Sequence, residues 1–139
     1  MRRVVVTGLG LLTSIGDGVK NTWDNLILCK SGIKQISSFN TENLSCKIAG
    51  FISHNPEDDN FFDQHKYFTE RVVKRNDRFI LYGLAAADQA IKDAGIDTIS
   101  DEIKLRTGVT VGSGIGGLET IYEGSITLNK RGPRKISPF

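Results

Sequence analysis

Two groups of residues have the types and spacing that chemistry or recognition would need. The stretch "TVGSGIGGLE", Thr110 to Glu119, holds Gly112, Gly114, Gly116 and Gly117. Gly112, Gly114 and Gly117 satisfy G-x-G-x-x-G, the spacing with which backbone N–H groups cradle a pyrophosphate. Upstream, Arg71, Lys74, Arg75 and Arg78 recur at i, i+3, i+4 and i+7. In a helix that spacing stacks the cations on one face, as an acidic partner would require. Arg134 and Lys135 add a second basic pair after Pro133.

Residues suited to nucleophilic or metal chemistry are sparse. Cys29 and Cys46 form neither a C-x-x-C pair nor a disulfide framework, which predicts reduced thiols and a cytoplasmic setting. Cys29 lies near a helix end, where the dipole opposes a thiolate, and Cys46 lies in a predicted strand with no histidine motif nearby. His54 and His65 fall in a polar stretch and read as solvated loop residues. No residue is assigned a catalytic or metal-binding role.

The glycine loop lacks the context of a dinucleotide site. That reading needs a second strand ending in Asp or Glu about 20 residues on, to hold the ribose. After Gly117 the chain offers one helix and a basic tail. The earlier "GLGLLT", Gly8 to Thr13, has Thr13 where the third glycine belongs. The plainer reading is that the glycines permit positive φ and close backbone packing. It leaves Ile115, a β-branched residue held between glycines, placed either to line an apolar pocket or to join an ordinary core.

These groups must be positioned by one domain's worth of chain. The 139 residues are 39% hydrophobic and 24% charged, a soluble globular composition with a formal net charge of only +2. That charge gives no argument for nucleic acid, and no apolar run has the length of a membrane span. Arg3 to Thr7, "RVVVT", reads as a strand buried on both faces, and "RTGVTVGSG", Arg106 to Gly114, as a second buried strand running into the glycine loop. Val19, Trp23, Leu26 and Ile27 mark one face of a helix that Gly32 would end. "IKQISSF" and "CKIAGFI" are candidate short strands, and "HNPEDDNFFD" is an acidic, turn-rich loop.

The clearest helix starts near Asp77 as N-cap and closes at Gly95. It is apolar nearly all round from Phe79 to Ala87, which predicts deep burial of its first half, and its small residues Gly83, Ala85, Ala86 and Ala87 invite close approach. Leu118, Ile121, Tyr122 and Ile126 give a last helix its apolar face, stopped by Gly132-Pro133. Strand, helix, insertion at about 33–76, helix, strand, helix is an α/β order with a parallel-sheet layer. Two such strands cannot cover these helices, so the expectation is the front part of a larger fold.

Taken together, "RVVVTGLG", "W…L…SGI", "KRNDRFILYGLAAADQAIKDAG", "TVGSGIGGLE" and "GPRKISPF" resemble the β-ketoacyl-[acyl-carrier-protein] synthases, most closely the type II elongating condensing enzymes. The resemblance runs from Arg2 to Phe139. It implies the N-terminal portion of the first half of a thiolase-like fold, incomplete in this chain, and a homodimer in the full-length family. It also implies a decarboxylative condensation of an acyl thioester with malonyl-carrier protein. The family's catalytic cysteine and two histidines lie beyond the matched motifs, so this chain alone is expected to be inactive. Cys29 stands where the family often has glycine, Asn76 where methionine is common and Leu81 where glutamine is common.

By the same resemblance, Arg71, Lys74, Arg75, Arg134 and Lys135 match the family's surface for acyl carrier protein, and Ile115 matches the inner end of its acyl pocket. Without the resemblance, the basic run reads as a solvated face. Arg78 has the alternative of a structural ion pair. No cofactor is implied, since the partner carries the acyl phosphopantetheine, and neither nucleic acid nor membrane is expected as a partner. A non-catalytic docking or dimerising relative and a nucleotide-dependent oxidoreductase remain as alternative functions.

Overall fold

The computed structural model describes residues 2–96 and 98–136. The last residues of the "GPRKISPF" motif, Ser137 to Phe139, lie outside the described residues. The chain divides into two compact units, Met1–Asp63 with Ala85–Thr98 and Gln64–Leu84 with Ile99–Phe139. Residues 33–63 of the expected insertion belong to the first unit and residues 64–76 to the second.

In the first unit, β1 (Leu12–Thr13) and β2 (Gly16–Asp17) form a two-residue antiparallel hairpin, Thr13 opposite Gly16. Helix α1 (Val19–Ile27) follows. Strands β3 (Ile33–Gln35) and β4 (Ile48–Gly50) pair antiparallel with Lys34 opposite Ala49, where the two candidate strands were expected. The acidic segment after β4 is a run of turns, tied down by a bridge between Ser53 and Phe61. Phe62 is buried, and His54 packs edge-on against its ring at 5.8 Å between centroids, so His54 is half-buried and not a solvated loop residue.

Helix α3 (Arg78–Ala94) supplies this unit with Ala85–Ala94. The Gly8–Leu11 segment lies directly against its small-residue face. A Cβ on Gly8 would sit 2.6 Å from the Ala94 nitrogen and one on Gly10 2.8 Å from the Ala90 nitrogen, both far inside van der Waals contact. Two polar side chains of α3 secure the strap: the Leu9 N–H donates to Asp93 Oδ2 at 2.9 Å and the Leu11 N–H to Gln89 Oε1 at 3.0 Å. Gln89 Nε2 in turn donates to Asp17 Oδ1 at 2.7 Å. Close approach was expected at Gly83 to Ala87, but the contact runs along Ala86, Ala90 and Ala94, one helical stripe at i, i+4 and i+8. Gly83 faces open space.

Both long helices of this unit end in the same way. At the end of α3, the Gly95 N–H donates to the Lys92 carbonyl and the Ile96 N–H to the Ile91 carbonyl, with Gly95 at φ +64°. At the end of α1, the Cys29 N–H donates to the Leu26 carbonyl and the Lys30 N–H to the Asn25 carbonyl, with Cys29 at φ +53°. Each is a Schellman ending, whose left-handed residue is ordinarily glycine. Gly32 therefore does not end α1; Cys29 does.

The second unit holds a 3₁₀ turn (Gln64–Lys66), the single-turn helix α2 (Glu70–Val73), the start of α3, α4 (Asp101–Leu105), α5 (Leu118–Arg131) and a 3₁₀ turn (Pro133–Lys135). The Ser100 hydroxyl caps α4 by accepting the Ile103 N–H. Gly132, at φ +79°, ends α5 as its position before Pro133 predicts.

Three sequence expectations are corrected. Arg3–Thr7 and Arg106–Gly114 form no strand among the described residues, and Val4 is 96% exposed. A parallel strand exists only with a ladder partner, and the described residues supply none for either run. The apolar face of α1 is open, with Trp23 60% exposed, and the buried residues of that helix are Thr22 and Asn25. The first half of α3 is not deeply buried throughout. Leu81 and Ala85 form its buried stripe, while Phe79, Gly83 and Leu84 are exposed.

Candidate functional site

The second unit contains a concavity of about 370 Å³. One wall is the turn leading into α3, Lys74 to Asp77, and the opposite wall is a face of α5. Thr120, Glu123, Gly124 and Thr127 form that face at i, i+3, i+4 and i+7, so a polar helical stripe lines the hollow. Lys135 and Ile136 close it from the tail. Two chain segments some sixty residues apart thus bring Lys74, Arg75 and Lys135 to one place.

Of the predicted basic residues, Lys74, Arg75 and Lys135 line the hollow, while Arg71 and Arg134 are exposed outside its lining. The four-residue cationic face does not form as predicted, because the helix lasts only from Glu70 to Val73. The chain then turns at Lys74 and Arg75 before α3 begins. The turn is held by the Asn76 side chain, whose Nδ2 donates to the Val72 carbonyl at 2.8 Å. Arg78 makes the ion pair raised as its alternative, with Nε 3.7 Å from Glu119 Oε2.

Charge within the concavity is mixed but weighted to the positive. Lys74 Nζ lies 3.2 Å from Glu70 Oε2, and His65 Nε2 lies 3.5 Å from the other oxygen of that carboxylate, Oε1. Among the described residues no ion pair engages Arg75 or Lys135, and both residues are exposed. Asp77 and Glu123 supply the negative charge in the lining. On α3, outside that lining, burial pushes the Tyr82 hydroxyl above its ordinary value of 10.0, the Arg78 charge opposing and the Glu119 charge adding to that shift.

Asp77 also reaches the end of the glycine loop. Its Oδ1 accepts the Thr120 hydroxyl, and its Oδ2 occupies the space a Cβ on Gly117 would take. Gly117 is the N-cap position of α5 and has no side chain to cap it, so the Asp77 carboxylate stands where a cap's own carboxylate would be. Gly116 adopts φ +79° above the Phe79 ring. Gly112 and Gly114 have open space around them. The loop's glycines therefore serve backbone conformation and packing at Gly116 and Gly117, as the plainer sequence reading held. Ile115 is 74% exposed and is not part of the concavity.

Sequence reasoning missed Thr120, Glu123 and Thr127, although their helical spacing opposite the apolar residues of α5 was a usable signal. Cys29 and Cys46 are free and exposed. Among the described residues no His, Cys, Asp and Glu cluster could hold a metal ion, and no helix is long and apolar enough to cross a membrane.

Residues 1–139 match the family model described as β-ketoacyl synthase, N-terminal domain. The chain is similar to 3-oxoacyl-[acyl-carrier-protein] synthase 2 of Vibrio cholerae, 43% identical over 99% of this chain and 31% of that protein. It is 41% identical to the synthase of the same name from Rhizobium meliloti, over 100% of this chain and 33% of that protein. The chain thus spans about a third of the length of these relatives. Its fold is similar to that of the ishigamide ketosynthase/chain length factor, with a TM-score of 0.74 and 27% identity over 99% of this chain and 32% of that one. That likeness carries the expected α/β, thiolase-like class even though no parallel ladder is formed among the described residues.

Proposed function

The chain belongs to the β-ketoacyl synthase family, and from that premise we propose that it serves a 3-oxoacyl-[acyl-carrier-protein] synthase of type II fatty-acid synthesis. In that reaction malonyl-carrier protein loses CO₂ and the resulting carbanion attacks an acyl thioester, releasing a thiolate. The part assigned to these residues is recognition: docking the carrier protein and shaping the space its acyl chain enters.

One observation carries the docking reading. Lys74, Arg75 and Lys135, drawn from separate segments, line a single concavity. Acyl carrier proteins are acidic, so a hollow with more cations than carboxylates steers their approach over a Debye length, about 8 Å at physiological salt. Arg71 and Arg134, exposed outside the lining, extend the positive field. Asp77 and Glu123 penalise partners whose acidic groups arrive in the wrong register. Ile115 is the acyl-pocket residue in this reading, its exposed side chain meeting the acyl chain once the facing wall is supplied. The open apolar residues of α5, Leu118, Ile121 and Tyr122, are the surface for a second copy. The chain needs no cofactor of its own, and it works in the cytoplasm.

The test is carrier-protein binding by the wild type and by a Lys74→Glu, Arg75→Glu variant, at low and at physiological salt. Weaker binding with a flattened salt dependence supports docking, and equal affinity at both salts overturns it. CO₂ release from malonyl-carrier protein by the native polypeptide separates a condensing enzyme from a non-catalytic docking or dimerising relative, which would bind the carrier without releasing CO₂.

A further inference from the structure

We infer that Asp77 is a positioning residue that couples occupancy of the basic concavity to the conformation of the glycine loop bearing Ile115. The inference rests on the docking reading above and extends it, because docking alone requires no communication with the loop. Asp77 is the residue common to both places. Its side chain lines the hollow with Lys74, Arg75 and Lys135. The same carboxylate accepts the Thr120 hydroxyl and fills the space over Gly117.

An acidic group entering the hollow is drawn to Lys74, Arg75 and Lys135 and is repelled by the Asp77 carboxylate. Asp77 can move away only by changing its contact with Thr120 and Gly117. Next to Gly117, Gly116 is held at φ +79° against the Phe79 ring. Ile115 lies directly on the N-terminal side, and Gly112 and Gly114, with no atom within 4 Å of where a Cβ would stand, leave that part of the loop room to respond. A shift of the carboxylate is therefore delivered to the residues that set the direction of Ile115. Linkage makes the effect reciprocal: anything that displaces Asp77 from the loop side changes affinity on the concavity side.

The experiment follows backbone amide resonances of the isotopically labelled native polypeptide that contains these residues while acyl carrier protein is titrated in. Coupling predicts that Arg75 and Lys135 shift together with Ile115, Gly116 and Gly117 in the wild type. In Thr120→Val the loop shifts are lost while those at Arg75 and Lys135 persist, and Thr120→Ser, which keeps the hydroxyl, restores them. From the other side, Gly117→Ala, whose new Cβ must displace Asp77, changes carrier affinity about fivefold or more. Loop shifts equal in the wild type and Thr120→Val overturn the coupling and leave docking intact, as do concavity shifts with an unmoved loop. An unshifted concavity overturns docking and the coupling with it.

Discussion

Thr120, in the first turn of α5, donates its hydroxyl to the carboxylate of Asp77, which precedes α3. The bond joins the starts of two helices through side chains alone. It also places a negative charge beside the N-terminus of α5, where the helix dipole favours it. With Arg78 reaching Glu119 at 3.7 Å, two adjacent residues before and within α3 are paired with two adjacent residues of α5. The ion pair is exposed at both ends and contributes little. The hydroxyl–carboxylate bond is the directional one.

The strap over α3 distinguishes glycines required by packing from glycines that are not. Gly10→Ala drives a Cβ into the α3 backbone and destabilises the chain by about 1–3 kcal/mol, whereas Gly112→Ala and Gly114→Ala, in open space, change stability by no more than about 0.5 kcal/mol. Urea unfolding of the three variants checks the contrast. Equal losses at all three would remove the strap as a packing contact.

Cys29 occupies a left-handed position that Gly95 fills in the other long helix. Cys29→Gly is expected to stabilise the chain by about 0.5–1 kcal/mol, because the steric penalty on Cβ exceeds the added freedom of the unfolded chain. Cys29→Val is expected to destabilise it. Thermal unfolding of the two variants gives opposite shifts in Tm, and shifts of the same sign would refute the assignment.

Asp58 gives a pH dependence whose sign follows from its partners. The Ser53 hydroxyl, with Lys34 Nζ at 3.0 Å, holds its carboxyl below the ordinary value of 3.8. The depressed value means that its contribution is present above the unfolded value and is lost as pH falls through the folded one. The turn from Ser53 to Phe62 is therefore expected to lose hydrogen-exchange protection in acid below the ordinary carboxylate value, and Asp58→Asn to lose that pH dependence. Protection that ignores pH in the wild type would sink the claim.

Ile115→Phe tests the acyl-pocket reading in the condensing enzyme that contains these residues. Added bulk at a pocket wall shortens the acyl chains accepted, read as a fall in kcat/KM for long substrates with short ones spared. An unaltered chain-length profile returns Ile115 to a structural role.

The legible parts of the sequence were those written in local chemistry. Gly95 and Gly132 mark the ends of α3 and α5, the two short antiparallel strands lie where "IKQISSF" and "CKIAGFI" place them, and the Arg78 ion pair was an open alternative. The missed parts depend on partners distant in sequence. Nothing local says that "RVVVT" lacks a ladder partner among these residues, or that Trp23 faces solvent. The cationic spacing around Lys74 is helical, yet the backbone turns after Val73, with the Asn76 side chain on the Val72 carbonyl. Its cations meet Lys135 through a tertiary turn that periodicity does not encode. Spacing could mark the face that Thr120 occupies, but its bond to Asp77, a residue distant in sequence, is tertiary and has no local signal.

The valines at 4 to 6 and at 109 and 111 have a consequence for handling and for the cell. Apolar, β-branched and without a ladder partner among the described residues, they present peptide groups that any similar strand can template upon, the hazard that native sheets suppress at their edges. Wherever these runs stay exposed, association through them rises with concentration. A lysine at Val5 would blunt that tendency by placing a charge in the middle of the first run.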